Sequence, residues 1–312
     1  MVQLSIIVPN YNGAQYLDEF YSRMSAENWE NAELIIVDDG STDQSKQLIE
    51  NLLSLSSNRL PLRVKFSTNQ GPSSARNMGI DMARGRFIRF VDVDDTLDAG
   101  FVQNWIKIVQ DSPKDLILLP IIQLDSEVRT VVNGNVNVNT LNRNSLVKAI
   151  SDYSIVIYSF SFLIRTSLAK AARFDESLWM SEDQNFVFRL LRQNLNIQIG
   201  YNPEVKADYT YVIRKGSLSH SDAITRVKAE VESKDASVSL FLDEKQQVRQ
   251  VRNLLFGALL EQYELTRAEE SLKKMNGLYW QTQMPWQSRL KRGIFLIREI
   301  FVQTLKKHLK LS

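Results

Sequence analysis

Two aspartates at the end of an apolar run have the spacing of a divalent-cation site. The run at 87–91 follows Gly85 and leads into Asp92 and Asp94. A short apolar run of this kind predicts a buried strand of a parallel sheet, and ligands of such sheets bind beyond the carboxyl ends of the strands. Mg²⁺ and Mn²⁺ take oxygen ligands from carboxylates and phosphates together. The pair therefore predicts a site for a metal ion and a diphosphate.

Two other interpretations of these aspartates stay open on spacing alone. Residues 92–97, Asp-Val-Asp-Asp-Thr-Leu, resemble the nucleophile motif of haloacid-dehalogenase-type phosphatases. In that chemistry Asp92 would attack phosphorus and Asp94 would handle the proton of the leaving group. An acidic cluster after a strand can also be a solvated turn without function. The phosphatase interpretation loses support because its Asp pair usually follows the first strand, whereas three strand and loop units precede Asp92 here.

Glu182 and Asp183 form a second acidic pair, directly before a helical pattern at 184–192. The helix dipole favours negative charge at a helix start, and this preference alone explains such a pair. In the functional interpretation Asp183 is a general base that takes the proton of an acceptor hydroxyl. Trp179 lies just before the pair and can stack on an acceptor sugar, although core packing is the more common role of a single Trp.

Polar loops after the first two strands offer a place for a nucleotide base. Tyr11 and Pro9 can form a flat wall, and stacking of a base on an aromatic ring contributes about 1–3 kcal/mol. Asp38 or Asp39 can accept hydrogen bonds from the N–H groups of the base. The alternatives are a half-buried loop aromatic for Tyr11 and a helix-capping turn for residues 39–41.

Three basic side chains are candidates for contacts with phosphate or carboxylate groups. Arg76 lies in the helix that follows Gly71, where it can bind a phosphate or anchor the acidic loop through a bidentate pair. Arg214 and Lys215 precede a Gly-Ser turn and can clamp a diphosphate in a loop that closes on the donor. A plain surface arginine and a solvated basic turn are the alternatives.

Strands and helices that alternate along the first hundred residues must position these side chains. Apolar runs at 3–8, 33–37, 62–66 and 87–91 predict strands, and polar loops with helical patterns follow them. The alternation predicts a doubly wound, mostly parallel sheet flanked by helices, with the loops in one crevice. The sequence contains no G-x-G-x-x-G after the first strand and no P-loop. The interpretations as a dinucleotide-binding protein or as a P-loop NTPase therefore lose their main support.

The remainder of the chain predicts further strands and then a helical end. We expect helices at 99–109, 141–151 and 184–192, strands at 116–122, 158–164, 197–201 and 208–213, and a hairpin around Asn133-Gly134. Long helical patterns follow at 223–242 and 244–268. The chain is therefore expected to divide into a sheet domain at 1–220 and a helical region at 221–312, with a basic amphipathic end at 286–312.

Composition limits the class of protein. The chain has 312 residues, 44% of them hydrophobic and 24% charged, and no cysteine, which is typical of a soluble protein without disulfides. No apolar run reaches the roughly 18 residues that a bilayer needs, so we expect a protein of the cytoplasm or of the cytoplasmic face of the membrane. Residues 289–312 carry seven Lys/Arg and one Glu, which leaves a slightly acidic body and argues against nucleic-acid binding.

The amphipathic end has two interpretations of similar weight. A basic helix with a leucine and isoleucine face can lie on an anionic membrane and bring the active site to a lipid-carried acceptor. It can equally pack against its own domain or against a second subunit, which would make a homo-oligomer.

Five motifs taken together resemble family 2 glycosyltransferases of the GT-A fold. They are Ile-Ile-Val-Pro-Asn-Tyr-Asn at 6–12, Ile-Ile-Val-Asp-Asp-Gly-Ser-Thr-Asp at 35–43, Asn-Gln-Gly-Pro-Ser-Ser-Ala-Arg-Asn at 69–77, Phe-Val-Asp-Val-Asp-Asp at 90–95 and Ser-Glu-Asp at 181–183. They occur in the order of that family across residues 1 to about 215. Each motif is weak by itself, whereas five in the same order are specific.

The resemblance implies an inverting, metal-dependent enzyme. A sugar would move from a nucleotide donor, a UDP-sugar, to a saccharide or lipid-linked acceptor in bacterial capsule or exopolysaccharide synthesis. Mn²⁺ or Mg²⁺ would be held by Asp94, with Asp92 near the ribose or the ion. A metal ligand would also arrive late in the domain, where His220 is the candidate, although an exposed His before a helix is an equal interpretation.

The resemblance also gives roles to the acceptor side of the site. It implies that Asp183 is the general base, that Glu182 is its neighbour on the acceptor side, and that Arg76 faces the nucleotide. A catalytically silent protein that only binds nucleotide sugars is the competing class, because the same loops would serve binding alone.

Overall fold

The computed structural model describes residues 1–55, 60–134, 136, 141–201, 207–214, 223–244, 246–248, 250–252, 254–255 and 258–259. In chain order its elements are β1 (Leu4–Asn10), α1 (Ala14–Ser25), β2 (Ala32–Asp38), α2 (Ser45–Leu55), β3 (Leu62–Phe66), α3 (Pro72–Met82), β4 (Phe87–Phe90), β5 (Thr96–Leu97), α4 (Phe101–Val109), β6 (Leu116–Leu118), β7 (Ile121–Asp125), β8 (Val128–Val132), α5 (Arg143–Ser151), β9 (Phe162–Arg165), α6 (Thr166–Ala172), α7 (Glu182–Gln193), β10 (Ile199–Tyr201), β11 (Tyr209–Ile213) and α8 (Ala223–Ser239).

Seven of the strands form the main sheet, in the order β10-β6-β9-β4-β1-β2-β3. Strand β1 pairs in parallel with both β2 and β4, and β2 pairs in parallel with β3. In the other half, β9 runs antiparallel to its neighbours β4 and β6. The mostly parallel sheet with flanking helices is confirmed. Because β1, β2 and β4 run in the same direction, the loops that follow them leave the sheet at one edge.

A second sheet of four strands has the order β5-β11-β7-β8. The single strand predicted at 116–122 is wrong, because the chain divides there between β6 of the main sheet and β7 of the second sheet. Pro120 lies at the break, where a proline cannot donate a ladder hydrogen bond. Strand β8 pairs with β7 across a turn at Ser126, and most of the other arm predicted beyond Asn133 lies outside the described residues.

Smaller differences from the predicted elements have local causes. The predicted strand at 158–164 begins as a 3-10 turn at Ser159–Ser161, and only Phe162–Arg165 pairs in the sheet. The sequence does not predict β5 or α6, which have two and seven residues. Such short elements carry too little periodicity to stand out from loops.

The main sheet separates two hydrophobic clusters. Ile6 and Val8 of β1 point to one face and pack in the cluster that contains Trp105 of α4. Ile7 points to the other face and packs in the cluster that contains Ala75 of α3 and Phe186 of α7. This alternation follows from the two-residue period of a strand, and it attaches the helices that carry the candidate site residues to a buried sheet.

Helix α8 and the described residues after it pack against the same core. Val238, Phe241 and Leu254 are buried in the cluster that contains Phe186 and Leu190 of α7. The division of the chain at 220 stays a prediction, and the amphipathic end at 286–312 lies outside the described residues. None of the helices in the described part has the length and apolar character needed to cross a bilayer.

Candidate active site

The loops after β1 and β2 are joined through Asp38. Asn10 and Asp38 are register partners in the sheet, and the Asn10 Nδ2 donates to Asp38 Oδ2 at 2.8 Å. Ser41 donates to the same carboxylate through its backbone N–H at 3.0 Å and its hydroxyl at 2.6 Å. Asp38 is buried. Its side chain therefore joins the two loops from a buried position, in the region where the sequence predicts a nucleotide base.

Asp39 connects the same loop to the start of α3. Its Oδ1 accepts from the Gln70 N–H at 3.0 Å and from the Ser67 hydroxyl at 3.2 Å, and its Oδ2 accepts from the Gly71 N–H at 2.7 Å. Gly71 has φ 92, a region that favours glycine. The fold therefore brings the three loops that carry the donor-site candidates together through two aspartates.

Tyr11 lies on a braced loop with its ring accessible. Tyr11 is 49% exposed, while the neighbouring Asn12 accepts from the Thr42 N–H at 2.8 Å and donates its own N–H to Ser41 Oγ at 2.9 Å. Pro9 is partly buried at the end of β1. An accessible aromatic ring on a rigid loop is the geometry that base stacking requires.

The three aspartates after β4 have different surroundings. Asp95 is buried and accepts from the Tyr209 hydroxyl at 2.6 Å and from the Val212 N–H at 3.0 Å. The side chains of Asp92 and Asp94 are 28% and 32% exposed. Asp95 is therefore the anchor that attaches β11 to this loop, and the other two carboxylates remain accessible to a ligand.

Arg214 reaches Asp94 because of that anchor. It follows β11, and its Nη1 lies 3.0 Å from Asp94 Oδ2, while its Nη2 donates to the Asp94 carbonyl oxygen. Its guanidinium also lies 5.0 Å from the centre of the Tyr16 ring. Arg214, expected at the diphosphate, is thus placed beside the carboxylate expected at the metal. A phosphate bound there would meet both a cation and an acidic group.

Arg76 links the two acidic pairs. Its Nη1 donates to Glu182 Oε1 at 2.8 Å, and its Nη2 lies 3.8 Å from Asp92 Oδ1. The side chain is buried and packs against the ring of Phe174. Burial by itself lowers the pKa of Arg76, but the charges of Glu182, Asp92 and Asp183 outweigh it and the pKa is raised. The guanidinium therefore stays charged at the centre of the site.

Burial raises the pKa of both candidate carboxylates near Arg76. The pKa of Asp92 is raised to about 6 by burial, with Arg76 opposing the shift and Asp94 and Glu182 adding to it. The pKa of Asp183 is raised to about 7 by burial and by the charge of Glu182, while Arg76 opposes the shift. A carboxylate with a pKa near neutrality is suited to proton transfer.

Trp179 lies on the donor side as well as before the acidic pair. Trp179 is 58% exposed, and a Cβ built on Gly71 would lie 3.9 Å from the Cη2 atom of its ring. Gly71 is also bound by Asp39, which accepts a hydrogen bond from its N–H. The Trp179 ring, next to Gly71, therefore lies between the loop expected at the nucleotide and the turn before α7.

Sequence reasoning missed two residues that face Asp183. Burial raises the pKa of Tyr158 to about 12, with contributions from the charges of Tyr211 and Asp183. Lys234 of α8 is buried, and its Nζ donates to Gln184 Oε1. Neither lies in a motif. The sequence shows Lys234 only as a lysine among apolar residues of a helical pattern. That pattern does not distinguish a buried lysine from an exposed one.

Lys215 and His220 lie outside the described residues. Among the residues that the structure describes, no three His, Cys, Asp or Glu side chains are grouped so as to hold a metal ion alone. Asp92 and Asp94 nevertheless fit a cation of the Mg²⁺ type, which commonly takes one or two carboxylates and completes its shell with phosphate and water. The charge of Asp94 also adds to the raised pKa of Asp92, and a bound cation would oppose that shift.

Comparison with known proteins extends these observations. The uncharacterized glycosyltransferase EpsJ of Bacillus subtilis is 29% identical over 196 residues, which cover 61% of this chain and 56% of EpsJ. The poly(ribitol-phosphate) beta-N-acetylglucosaminyltransferase TarS of Staphylococcus aureus is 29% identical over 197 residues, which cover 61% of this chain and 32% of TarS. The chain thus spans about half, or less, of the length of these curated relatives.

Solved structures share the fold. TarS 1–349 in complex with UDP-GlcNAc superposes with a TM-score of 0.63 at 21% identity and covers 92% of this chain and 78% of that one. The mannosyltransferase PcManGT of Pyrobaculum calidifontis, in complex with GDP-Man and Mn²⁺, has a TM-score of 0.54 at 13% identity and covers 99% and 88%. The family model described as glycosyl transferase family 2 matches residues 5–170. The chain belongs to glycosyl transferase family 2.

Proposed function

We propose that the chain transfers a sugar from a UDP-sugar to a saccharide or lipid-linked acceptor, with inversion at the anomeric carbon. The observation that carries this proposal is the Arg76 bridge. One guanidinium contacts Glu182 at 2.8 Å and lies 3.8 Å from Asp92, which supports a single site lined by the pair expected at the donor and the pair expected at the acceptor. A single displacement needs both groups on opposite sides of one sugar.

The chemistry divides between the two sides. The bond from the anomeric carbon to the diphosphate oxygen breaks, and its electron pair leaves with the nucleoside diphosphate. The acceptor oxygen attacks from the opposite face, which inverts the configuration, and its proton passes to a carboxylate oxygen of Asp183. Glu182 lies beside the base, where it can bind an acceptor hydroxyl, and Trp179 offers an exposed ring for an acceptor sugar.

On the donor side, Tyr11, Pro9, Asp38 and Asp39 would bind the nucleoside, and Arg214 with Lys215 would bind the diphosphate. A divalent cation held by Asp94 and Asp92, with His220 as a further candidate ligand, would neutralise the charge that develops on the leaving group. The Mn²⁺ in the PcManGT complex supports use of a divalent metal in this fold. Arg214 already lies at Asp94, so the cation and the diphosphate would share one electrostatic site.

The names of the relatives support a cell-surface polymer as the acceptor. TarS is named for transfer of N-acetylglucosamine to poly(ribitol phosphate), and a TarS structure holds UDP-GlcNAc. These facts favour UDP-sugars over the GDP-mannose that PcManGT holds. We include capsule, exopolysaccharide and teichoic acid polymers in the proposed acceptor class, and we place the enzyme in the cytoplasm or on the cytoplasmic face of the membrane.

The test is a panel of UDP-, GDP- and dTDP-sugars with Mn²⁺, Mg²⁺ or EDTA, measured by thermal shift and by release of the nucleoside diphosphate. Asp94→Ala should lose the metal-dependent stabilisation by the donor. Asp183→Asn should keep donor binding and lose transfer. Asp111→Asn, a change of an exposed aspartate after α4, is the matched control. A protein that binds a donor but transfers no sugar to any acceptor offered would favour the silent binding class.

The amphipathic end gives a further part of the proposal. Residues 286–312 lie outside the described residues, and their basic composition supports binding to an anionic membrane. Flotation with liposomes should carry the full chain upward and leave a chain truncated after Met284 at the bottom. Equal flotation of both would overturn the membrane part. A dimer that the truncation dissociates would support the homo-oligomer instead.

A further inference from the structure

Helix α8 presents a buried polar face to the first turn of α7. Ser233, Lys234 and Ser237 are each buried to 4% exposure or less. Their neighbours on the same helix, such as Val238, pack in the hydrophobic core. Polar side chains in such a position need partners, because an unpaired buried polar group costs free energy. All three find them at the start of α7.

The partners surround Glu182 and Asp183. The Ser233 hydroxyl donates to the Ser181 carbonyl oxygen at 3.2 Å. The Lys234 ammonium donates to Gln184 Oε1. The Asn185 Nδ2 donates to Ser237 Oγ at 3.0 Å. Ser181 precedes the acidic pair, and Gln184 and Asn185 follow it directly, so α8 contacts residues on both sides of the two carboxylates, through the Ser181 backbone and through the Gln184 and Asn185 side chains.

The turn that α8 holds is strained. Ser181 has φ 52 and ψ 26, the left-handed region that is unfavourable for a residue with a Cβ. A residue in this region is destabilising by itself and persists only where surrounding contacts enforce it. The bond from Ser233 to the Ser181 carbonyl is one such contact. Without it we expect the first turn of α7 to relax and the carboxylates to move.

Lys234 is the unusual member of this face. A lysine is seldom fully buried, and the Lys234 ammonium donates to a neutral amide oxygen, that of Gln184. The charged and titratable groups that face it or face Asp183 come from four elements: Glu182 and Asp183 on α7, Glu230 on α8, Arg76 on α3 and Tyr158 before β9. Lys234 and Arg76 are the cations in this set. Lys234 therefore adds positive charge to the surroundings of Asp183 from α8.

We propose that Lys234 is a positioning residue for Asp183: it holds the first turn of α7 through Gln184, and its charge favours the ionised form of the carboxylate. This inference rests on the proposed function, in which Asp183 is the general base. It extends the active site to α8, which lies beyond the residues 5–170 that the family model matches, and it explains why a lysine occupies a buried position where an apolar side chain would pack.

The test uses two variants that separate the two effects. Lys234→Met removes both the hydrogen bond and the charge. It should lower kcat about ten-fold or more, because a small displacement of a reacting group is costly, and it should move the acid limb of the kcat profile upward by about one pH unit. Gln184→Met removes the hydrogen bond but keeps the charge. It should lower kcat and leave the acid limb where it is. The KM for the donor should change less than two-fold in both.

A matched control and a stability measurement exclude a purely structural cause. Lys228→Met removes the same charge from an exposed position on α8 and should behave as the wild type. If Lys234→Met melts at the temperature of the wild type, a lower kcat in this variant reports on the site and not on loss of folded protein. If Lys234→Met melts earlier, the Gln184→Met profile carries the test.

The outcomes distinguish this inference from the proposed function. A Lys234→Met profile that matches Lys228→Met, with transfer abolished in Asp183→Asn, overturns the positioning role and leaves the proposed function intact. An acid limb that stays in place in Lys234→Met overturns the electrostatic half. Transfer that survives in Asp183→Asn overturns the role of Asp183 as the base, and this inference with it, whereas a wild-type protein that transfers no sugar from any donor offered overturns the proposed function itself.

Discussion

At the scale of single residues, the site depends on charged side chains that lie close together and are largely buried. Arg76 is buried between Glu182 and Asp92, and Asp183 has its pKa raised by burial and by Glu182. In such surroundings each charge changes the ionisation of the others more than it would in water. The positions and the protonation states of these groups are therefore coupled.

The raised pKa of Asp183 predicts the pH dependence of the reaction. Only the ionised carboxylate can accept a proton, so activity should be lost as the pH falls through the pKa, which is about 7. The profile of kcat/KM for the acceptor reports the free enzyme. We expect its acid limb near pH 7. A limb near pH 4, the ordinary value of an aspartate, would contradict the assignment of Asp183.

The contacts of Arg76 predict a loss of activity when this arginine is replaced by lysine. In Arg76→Lys the charge remains, but one ammonium cannot reproduce the planar fork that faces Glu182 and Asp92. We expect kcat to fall about ten-fold or more, with the melting temperature changed less than by Arg76→Met. Steady-state kinetics and thermal melting measure the two effects. Arg173→Lys at a more exposed ion pair is the control, and equal kcat values in the two variants would refute the bridge.

At the scale of elements, α3 has to lie close to β1 for Arg76 to reach the site. Gly79 makes this approach possible, because a Cβ built there would lie 2.3 Å from Cγ2 of Ile7. No side-chain rotation of the new methyl group can relieve that contact. The helix, and with it Arg76 one turn earlier, would have to move away from the sheet.

Gly79→Ala should therefore reduce both stability and activity. Overpacking in a core costs about 1–3 kcal/mol, and we expect this loss in the free energy of unfolding measured with urea, with a lower kcat. Ser54→Ala on the exposed side of α2 should change stability by less than about 0.5 kcal/mol. A Gly79→Ala protein as stable as the wild type would show that α3 is not tightly apposed to β1.

At the scale of the whole molecule, a buried charged cluster joins the two sheets. Arg89 of β4 stacks on Trp105 with its guanidinium carbon 3.7 Å from the ring centre, and its Nη1 lies 3.9 Å from Asp208 Oδ1. Trp105 donates to the same carboxylate at 3.0 Å. Asp208 directly precedes β11 of the second sheet. The cluster therefore sets where β11, and Arg214 after it, lie against the main sheet.

The stability losses from removing the two charges of this cluster should not be additive. Arg89→Met leaves Asp208 buried without its cation and should destabilise the fold by about 3 kcal/mol or more. Adding Asp208→Asn should cost less than the sum of the two single changes. A double-mutant cycle by urea unfolding measures this coupling. Additive losses would mean that the two side chains do not interact.

The sequence alone determined the parts of this protein that depend on local pattern. Apolar runs predicted β1, β2, β3 and β4 within one or two residues, because a buried strand needs a continuous apolar segment. Parallel order then required the polar loops to meet at one edge. The family resemblance rested on those same loops, and it is confirmed by the family match.

Only the tertiary structure decided which polar residues act as anchors and which remain accessible. Asp92, Asp94 and Asp95 look alike in the sequence, yet Asp95 is committed to Tyr209 and Val212 while the others are partly exposed. The partners lie more than a hundred positions away, and Lys234 meets Gln184 from 50 positions away. Local periodicity carries no information on such distant pairs, because they form only when the sheet has brought separate helices and loops together.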